Sequence, residues 1–385
     1  MSLTFAGESL DAPARLRDGT HRTATLEATW RRFSPCAKLA GITRIAELTG
    51  LDTLGIPVFT AIRPMGRSLS TQQGKGATAL AAKVSALMES LETWTAEHVA
   101  LPIVRGSVKS LGKRCVDVRE LPRAKRRIDR AARMAWVEGR DLVTDQPVLV
   151  PLESVTLDTT FKKPPVFDIS SNGLASGNVR VEAIVHGLCE VLERDAEAAW
   201  RRAGGDRRIV LDSITDPACG ALIERIVAAG ARVFVWDLEG LIPAIGCAIL
   251  EDPREPAWRT LGFYQGFGAH LVPEIAIARA LTEAAQTRLT YIAGGRDDFF
   301  AADYAHATDP ELLEQIWDRL AAPCETPALF DELPRVETPS LGRELELLVE
   351  LAGQVIVVDL THPMLGVPVV KVIVPGRATD VEAMG

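Results

Sequence analysis

The sequence predicts an α+β fold in which mixed or antiparallel sheets carry long helices that line a cleft. Three observations support this. Apolar residues recur at helical spacing over three long stretches, short apolar runs broken by Gly and Pro lie between them, and no Gly/Ser-rich linker or low-complexity tract divides the chain. At 385 residues the chain is long enough for one large core or two ordinary domains.

Residues 1–40 read as a polar, basic arm with one helix, Thr25 to Leu39, and residues 41–385 as the main domain. From Gly41 to Ile62 the apolar residues Ile42, Ile45, Leu48, Leu54, Ile56, Val58 and Phe59 alternate with Gly and Pro, the pattern of strands joined by tight turns. A polar loop, Gly66 to Gly76, leads into the first long helix, Ala77 to His98, whose apolar stripe is Leu80, Val84, Leu87, Met88, Leu91 and Trp94. Prolines punctuate residues 100–165, an irregular excursion with β-structure. The loop Ser170 to Asn178 opens a second long helix, Val181 to Arg202. Beyond it, Ile209 to Asp212, Val233 to Asp237 and Ile245 to Leu250 read as strands around a helix at Ala221 to Ala229. Pro273 suits the first position of a third long helix, Pro273 to Ile292. Two more helices between 310 and 355 and closing strands Val355 to Asp359 and Val367 to Val374 complete the chain.

The net charge of −8 argues against a nucleic-acid-binding surface, which needs clustered Lys and Arg. The basic groups Lys113-Arg114 and Arg123 to Arg133 are local and read as a solvated face. Six dispersed cysteines without a C-x-x-C pair suggest neither a zinc knuckle nor a disulfide framework. With no signal-like N-terminus and no apolar run of membrane-spanning length, the expectation is a cytoplasmic protein, with neither membrane nor nucleic acid as partner.

The three long helices carry charged residues on single faces. Ser85, Glu89 and Glu92 share one stripe, Glu182, His186, Glu190 and Glu193 a second, with Arg194 adjacent, and Arg279 stands one turn before Glu283 on the third. Glu is a strong helix former, and such pairs are ordinarily a solvated face. The helix Leu341 to Leu351, with Glu344, Glu346 and Glu350, is read in that ordinary way. The segments Ala79 to Leu91 and Ala183 to Val191 are otherwise apolar, so their acids are expected to face a cleft and share a cation. Mg²⁺ takes hard carboxylate oxygens and completes its shell with phosphate oxygens, which Arg194 and Arg279 would meet. Gln73-Gly74-Lys75-Gly76 offers an ammonium and backbone N–H groups but lacks the Walker A spacing. Asn172-Gly173 is a turn dipeptide, and His98 and His186, each taken alone, read as structural histidines. No dinucleotide, zinc-peptidase or α/β-hydrolase motif occurs.

In order, Gln73-Gly74-Lys75-Gly76, Ser85-x₃-Glu89-x₂-Glu92, Ser171-Asn172-Gly173 through Asn178 and Glu182 to Glu190-x₂-Glu193-Arg194-Asp195, and Arg279-x₃-Glu283 resemble the YcaO domain, from about Gly41 to the C-terminus. Gly41 to Arg44, Gly55 to Val58 and Arg63-Pro64 are similar to the branch whose members work beside a TfuA-like protein. The resemblance implies a YcaO-type catalytic domain that binds ATP with Mg²⁺ between helices. By the same resemblance Glu89, Glu92, Glu190 and Glu193 hold the metal ions, with Glu182 and Glu283 completing the acidic cluster. Ser85, Asn178, Arg194 and Arg279 then contact ATP, Lys75 and His186 belong to the same site, and Arg63 is a lesser candidate.

The implied reaction is phosphorylation of a peptide amide oxygen, coupled to nucleophilic attack on its carbonyl carbon. Three departures from the family pattern stand out: Thr93 in place of an Arg, Ala175 in place of a Ser, and no Pro-x-Pro-x-Pro within Pro368 to Gly385. The last, with the TfuA-branch features, points to thioamide formation with a TfuA-like partner acting on a peptide or protein, by a homodimer. The alternatives are an azoline-forming cyclodehydratase served by a leader-binding partner, and a non-catalytic ATP-binding scaffold subunit.

Overall fold

The computed structural model describes residues 3–13, 16–17, 19–122, 128–160, 164–255 and 261–377. The arm begins with two short ribbons, Thr4–Phe5 with Glu8–Ser9 and Leu16–Arg17 with Thr20–His21, and continues into helix α1 (Leu26–Phe33). Thr25 caps α1, accepting from Ala28 N–H. The expected single helix to Leu39 is broken at Pro35, which lacks the N–H a continuing helix needs, and a separate turn, Cys36–Leu39, follows.

Strands β1 (Arg44–Glu47), β2 (Val58–Ile62) and β3 (Thr71–Lys75) form an antiparallel sheet. The last corrects the loop expected over Gly66 to Gly76: Gln73, Gly74 and Lys75 pair with Thr60, Phe59 and Val58. The polar text hid the strand. Its buried residues, Gln72 and Gly74, face helix α2 (Ala79–Glu97): Gln72 accepts from Ser90, and a Cβ on Gly74 would lie 1.9 Å from Ala86 N. That glycine lets the helix backbone rest on the strand, which fixes the acids of α2 relative to Lys75.

A six-stranded antiparallel sheet follows. It comprises β4 (Val104–Gly106), β5 (Met134–Asp141), β6 (Pro147–Pro151), β7 (Leu174–Ser176) and two strands from the end of the chain. Helix α3 (Arg180–Ala203) then runs 24 residues. Helix α4 (Pro217–Ala228) leads to a second three-stranded sheet of β8 (Arg232–Asp237), β9 (Ala244–Leu250) and β10 (Tyr264–Ala269). Here the expectations need two changes. Ile209 to Asp212 is no strand but a bridge at Ile209 leading into a 3₁₀ turn, Leu211–Ser213, and β10 was not anticipated because its text, Tyr-Gln-Gly-Phe-Gly-Ala, carries two glycines. Those glycines have the role Gly74 has: a Cβ on Gly266 would lie 2.2 Å from Ala284 N, so helix α5 (Pro273–Ala293) presses directly on β10.

Helices α6 (Pro310–Ala321) and α7 (Leu341–Ala352) precede the closing strands β11 (Ile356–Asp359) and β12 (Val369–Ile373). The large sheet runs β6-β5-β11-β12-β7 with β4 also on β5. Val370 and Val372 of β12 pack among α3 and α7, and Val369 and Ile373 among α2 and the middle region, so the sheet is buried on both faces. Lys113, Arg114, Arg130 and Arg133 are exposed as a solvated face requires, and Arg123 to Arg127 lie outside the described residues. No helix among the described residues is long and apolar enough to cross a membrane.

Candidate active site

Helices α2, α3 and α5 bring their charged stripes together. Glu92 is buried, and Glu89 and Glu190 are the nearest like charges to it. Glu193 is buried beside Glu283 and Glu190. Burial first, then mutual repulsion, pushes Glu92 well above the usual carboxylate range, despite hydrogen bonds from Ser176. Glu190 and Glu193 are raised to about 7, burial again leading. Glu89 is exposed yet densely surrounded by protein, the combination a concave site produces, and its carboxyl is raised by burial and by Glu283 against the pull of Lys75. The repulsion in this group is offset by few partners: hydrogen bonds among the described residues support Glu92 but not Glu89, Glu190 or Glu193.

Cations stand among the acids. Lys75 at the end of β3 pairs with Glu283, whose carboxyl burial would raise but Lys75 and Arg194 hold below its ordinary value. Arg279 Nη2 donates to His186 Nε2 at 2.6 Å. Burial, then Arg279, Arg22 and Lys75, push His186 well below its ordinary range, so the imidazole is neutral and only accepts at that nitrogen. Arg194 donates to Glu197 at 3.1 Å and keeps the remaining fork beside Glu190 and Glu193.

Asn178 and Glu182 join this site through the arm. Glu182 Oε2 accepts from Thr23 N and Oγ1 at 2.9 and 2.7 Å, and Oε1 accepts from Asn178 Nδ2 at 3.1 Å with Arg22 Nη1 3.6 Å away. Asn178 Oδ1 accepts from Thr29 Oγ1 at 2.9 Å, and its carbonyl from Arg32 at 2.9 Å. Ser85 is half-buried on α2, on the same face as Glu89. Arg63 is committed elsewhere: it is 1% exposed, and its guanidinium grips Glu97 with bonds of 2.5 and 2.9 Å. It serves the fold at the far end of α2.

Two groups near the acids escaped the sequence reading. Arg22, on the arm, stands near both Glu182 and Arg279. Lys371 of β12 is buried, donates to Ser170 O at 2.5 Å and neighbours Glu190 and Glu92; burial lowers it to about 8. Neither sits on a helical stripe, so spacing could not reveal them. Sheet pairing brings Lys371 in, opposite Leu174 of β7.

A family model described as YcaO cyclodehydratase, ATP- and Mg²⁺-binding, matches residues 73–378. The chain belongs to the YcaO family. Its members are ATP-dependent enzymes, and ATP and Mg²⁺ are the cofactors of the domain. A protein from Rhizobium leguminosarum bv. trifolii, described as lying in the tfuA 3′ region, is 35% identical over 98% of this chain and 94% of its own. A Methanothermobacter thermautotrophicus protein is also 35% identical, over 93% and 96%. Among solved structures, YcaO from Methanopyrus kandleri bound with AMPPCP and Mg²⁺ is 28% identical, with a TM-score of 0.77 over 96% of both chains. A heterocyclase in complex with substrate and cofactor gives a TM-score of 0.80 at 24% identity over 95% of this chain. That likeness concerns the fold, and this chain spans about half (54%) of the heterocyclase. The architecture is therefore the expected α+β YcaO-type fold.

Proposed function

We propose that the chain transfers the γ-phosphoryl group of ATP to a peptide backbone amide oxygen, and that the product is a thioamide made with a TfuA-like partner and a sulfur source. The observation that carries the reading is the mixed cluster in which Glu89, Glu92, Glu190 and Glu193 crowd one another while Lys75, Arg194 and Arg279 stand among them beside a neutral His186. The donor set fits Mg²⁺: hard carboxylate oxygens, crowded enough to hold protons near neutral pH when no cation is shared. Bound Mg²⁺ supplies charge neutralisation on the phosphates.

The chain's own residues supply position and charge. Arg22, Arg194 and Arg279 orient the triphosphate and meet charge that develops on the transferring group, and neutral His186 keeps the Arg279 fork aimed. Hydrosulfide adds to the amide carbon as the amide oxygen takes the phosphoryl group. Loss of the S–H proton then expels phosphate and leaves C=S. Phosphate is a good leaving group where oxide is not.

The position of the Rhizobium relative beside tfuA supports the sulfur chemistry and the partner. The cyclodehydratase description of the family favours one other product, an azoline closed by a Cys, Ser or Thr side chain. Mass spectrometry of a peptide incubated with enzyme, partner, ATP and sulfide decides between them. A gain of about 16 Da is expected; a loss of about 18 Da means the azoline. ATP binding with no phosphate release and no mass change would leave only an ATP-binding scaffold.

A further inference from the structure

Glu344 of α7 is fully buried, contrary to the solvated face its spacing suggests, while Glu346 pairs with Arg343 at 2.7 Å and Glu350 stays exposed. Its two oxygens meet imidazoles from widely separated parts of the chain: His21 Nδ1 lies 3.0 Å from Oε2, and His270 Nε2 lies 2.9 Å from Oε1. The second contact is short but off the ideal line, so Oε1 has no aligned donor. The three ligand atoms lie within 4.8 Å of one another, a spacing that suits a metal ion.

The proton on His270 decides against a metal. Val272 N–H donates to His270 Nδ1 at 3.0 Å, and a backbone amide nitrogen cannot accept. The proton of the neutral ring is therefore on Nε2, which has no lone pair to give a cation. An ionised carboxylate only accepts, so His21 Nδ1 is also a donor. The group is a carboxylate between two imidazole N–H groups, hydrogen-bonded to His21 and in close contact with His270, and the two imidazoles together outweigh burial to bring Glu344 down to about 2.

The bridge joins three elements that meet at the cleft. His21 ends the second ribbon of the arm, and the next two residues are Arg22, beside Glu182 and Arg279, and Thr23, bonded to Glu182. His270 precedes α5, which carries Arg279 and Glu283, and Glu344 itself belongs to α7. The family model starts at residue 73, so the arm lies outside the matched region.

We infer that Glu344, with His21 and His270, is a positioning group for the nucleotide cleft: it seats the arm so that Arg22 stands beside Arg279 and Thr23 holds Glu182. This rests on the ATP reading above. Removing the bridge leaves Arg22 present but unseated, so its contribution to nucleotide binding is lost while the sheets and long helices stand.

The test uses the full chain, calorimetry with Mg²⁺ and AMPPCP, and amide exchange of residues 19–24. His21→Ala is expected to weaken the analogue about tenfold, as Arg22→Ala does, and the double variant no further than Arg22→Ala alone. Exchange over the arm should rise in His21→Ala and in Glu344→Gln; His21→Ala removes a donor from a buried carboxylate and lowers the melting temperature, so binding is measured well below it. Losses that multiply in the double variant, or arm exchange unchanged in His21→Ala, overturn the inference. So does stoichiometric zinc bound by wild type and lost in His21→Ala. A wild type that binds no analogue sinks the ATP reading instead, and the exchange measurement then decides the bridge by itself.

Discussion

Helix α3 offers Glu190 and Glu193 to a neighbourhood of other carboxylates, whereas α7 offers Glu344 to two imidazoles. Glu193 and Glu344 are buried and Glu190 half-buried, on helices whose other inward positions are mainly apolar. Burial raises each one, yet the first two stand at about 7 and the third at about 2. The difference lies in partners. Glu344 has donors that cannot be displaced without leaving a buried charge, so it holds structure together. Glu190 and Glu193 have nearby cationic side chains already bonded to other groups, and one another, so they retain a demand for positive charge that a metal ion can meet.

The sharpest way to break this comparison is to neutralise one acid of the cluster. Glu190→Gln is expected to weaken Mg-ATP binding by about a hundredfold or more, with a melting temperature equal to or above wild type, because a repulsive group is removed. Calorimetry and a thermal melt on one preparation check both halves. Unchanged ATP affinity would return Glu190 to the ordinary helix face. Arg63→Ala is the converse case. It leaves the buried Glu97 carboxylate to the Ser68 N–H and hydroxyl and is expected to cost about 3–5 kcal/mol of stability. Mg-ATP affinity, measured well below the melting temperature, should hold; a selective loss of nucleotide would restore Arg63 to the site.

The same comparison shows what the sequence could reveal. The acids of α2 and α3 were legible because helical spacing turns sequence distance into a shared face, and their apolar neighbours meant that face was not all solvent. Glu344 was misread because a short helix with three Glu looks solvated, although Glu344 and Glu346 are two residues apart and point to different sides, and what buries Glu344 comes from His21 and His270, both far earlier in the chain. Lys371 and Arg22 were invisible for the same reason, since sheet register and the course of the arm place them. Strands β3 and β10 were missed where glycine replaced the apolar alternation, and in both a helix backbone occupies the space a side chain would fill. Close packing there left no hydrophobic signal to read.

The smallest expected effect sharpens the comparison through pH. Glu190 and Glu193 rise from roughly 4.3 in the unfolded chain to about 7 in the fold, so between those values the folded state binds more protons. Their contribution to stability is complete below the unfolded value and is lost as pH rises through about 7. Glu344 has the opposite sign: its contribution is present above the unfolded value and is lost only as pH falls through about 2. Between pH 5 and 8 the cluster therefore sets the slope contributed by these three groups, and the melting temperature without ligand should fall. Mg-ATP should flatten that fall, because cation binding replaces the protons, and its affinity should climb by up to about tenfold per pH unit below 7 for each carboxyl that must ionise. Melts at pH 5.5, 6.5 and 7.5 with and without Mg-ATP test this, and Glu193→Gln should make the slope shallower. A profile that is flat in wild type and unmoved by the ligand would mean that these carboxyls are as well partnered as Glu344, and that the cleft has no unmet demand for a cation.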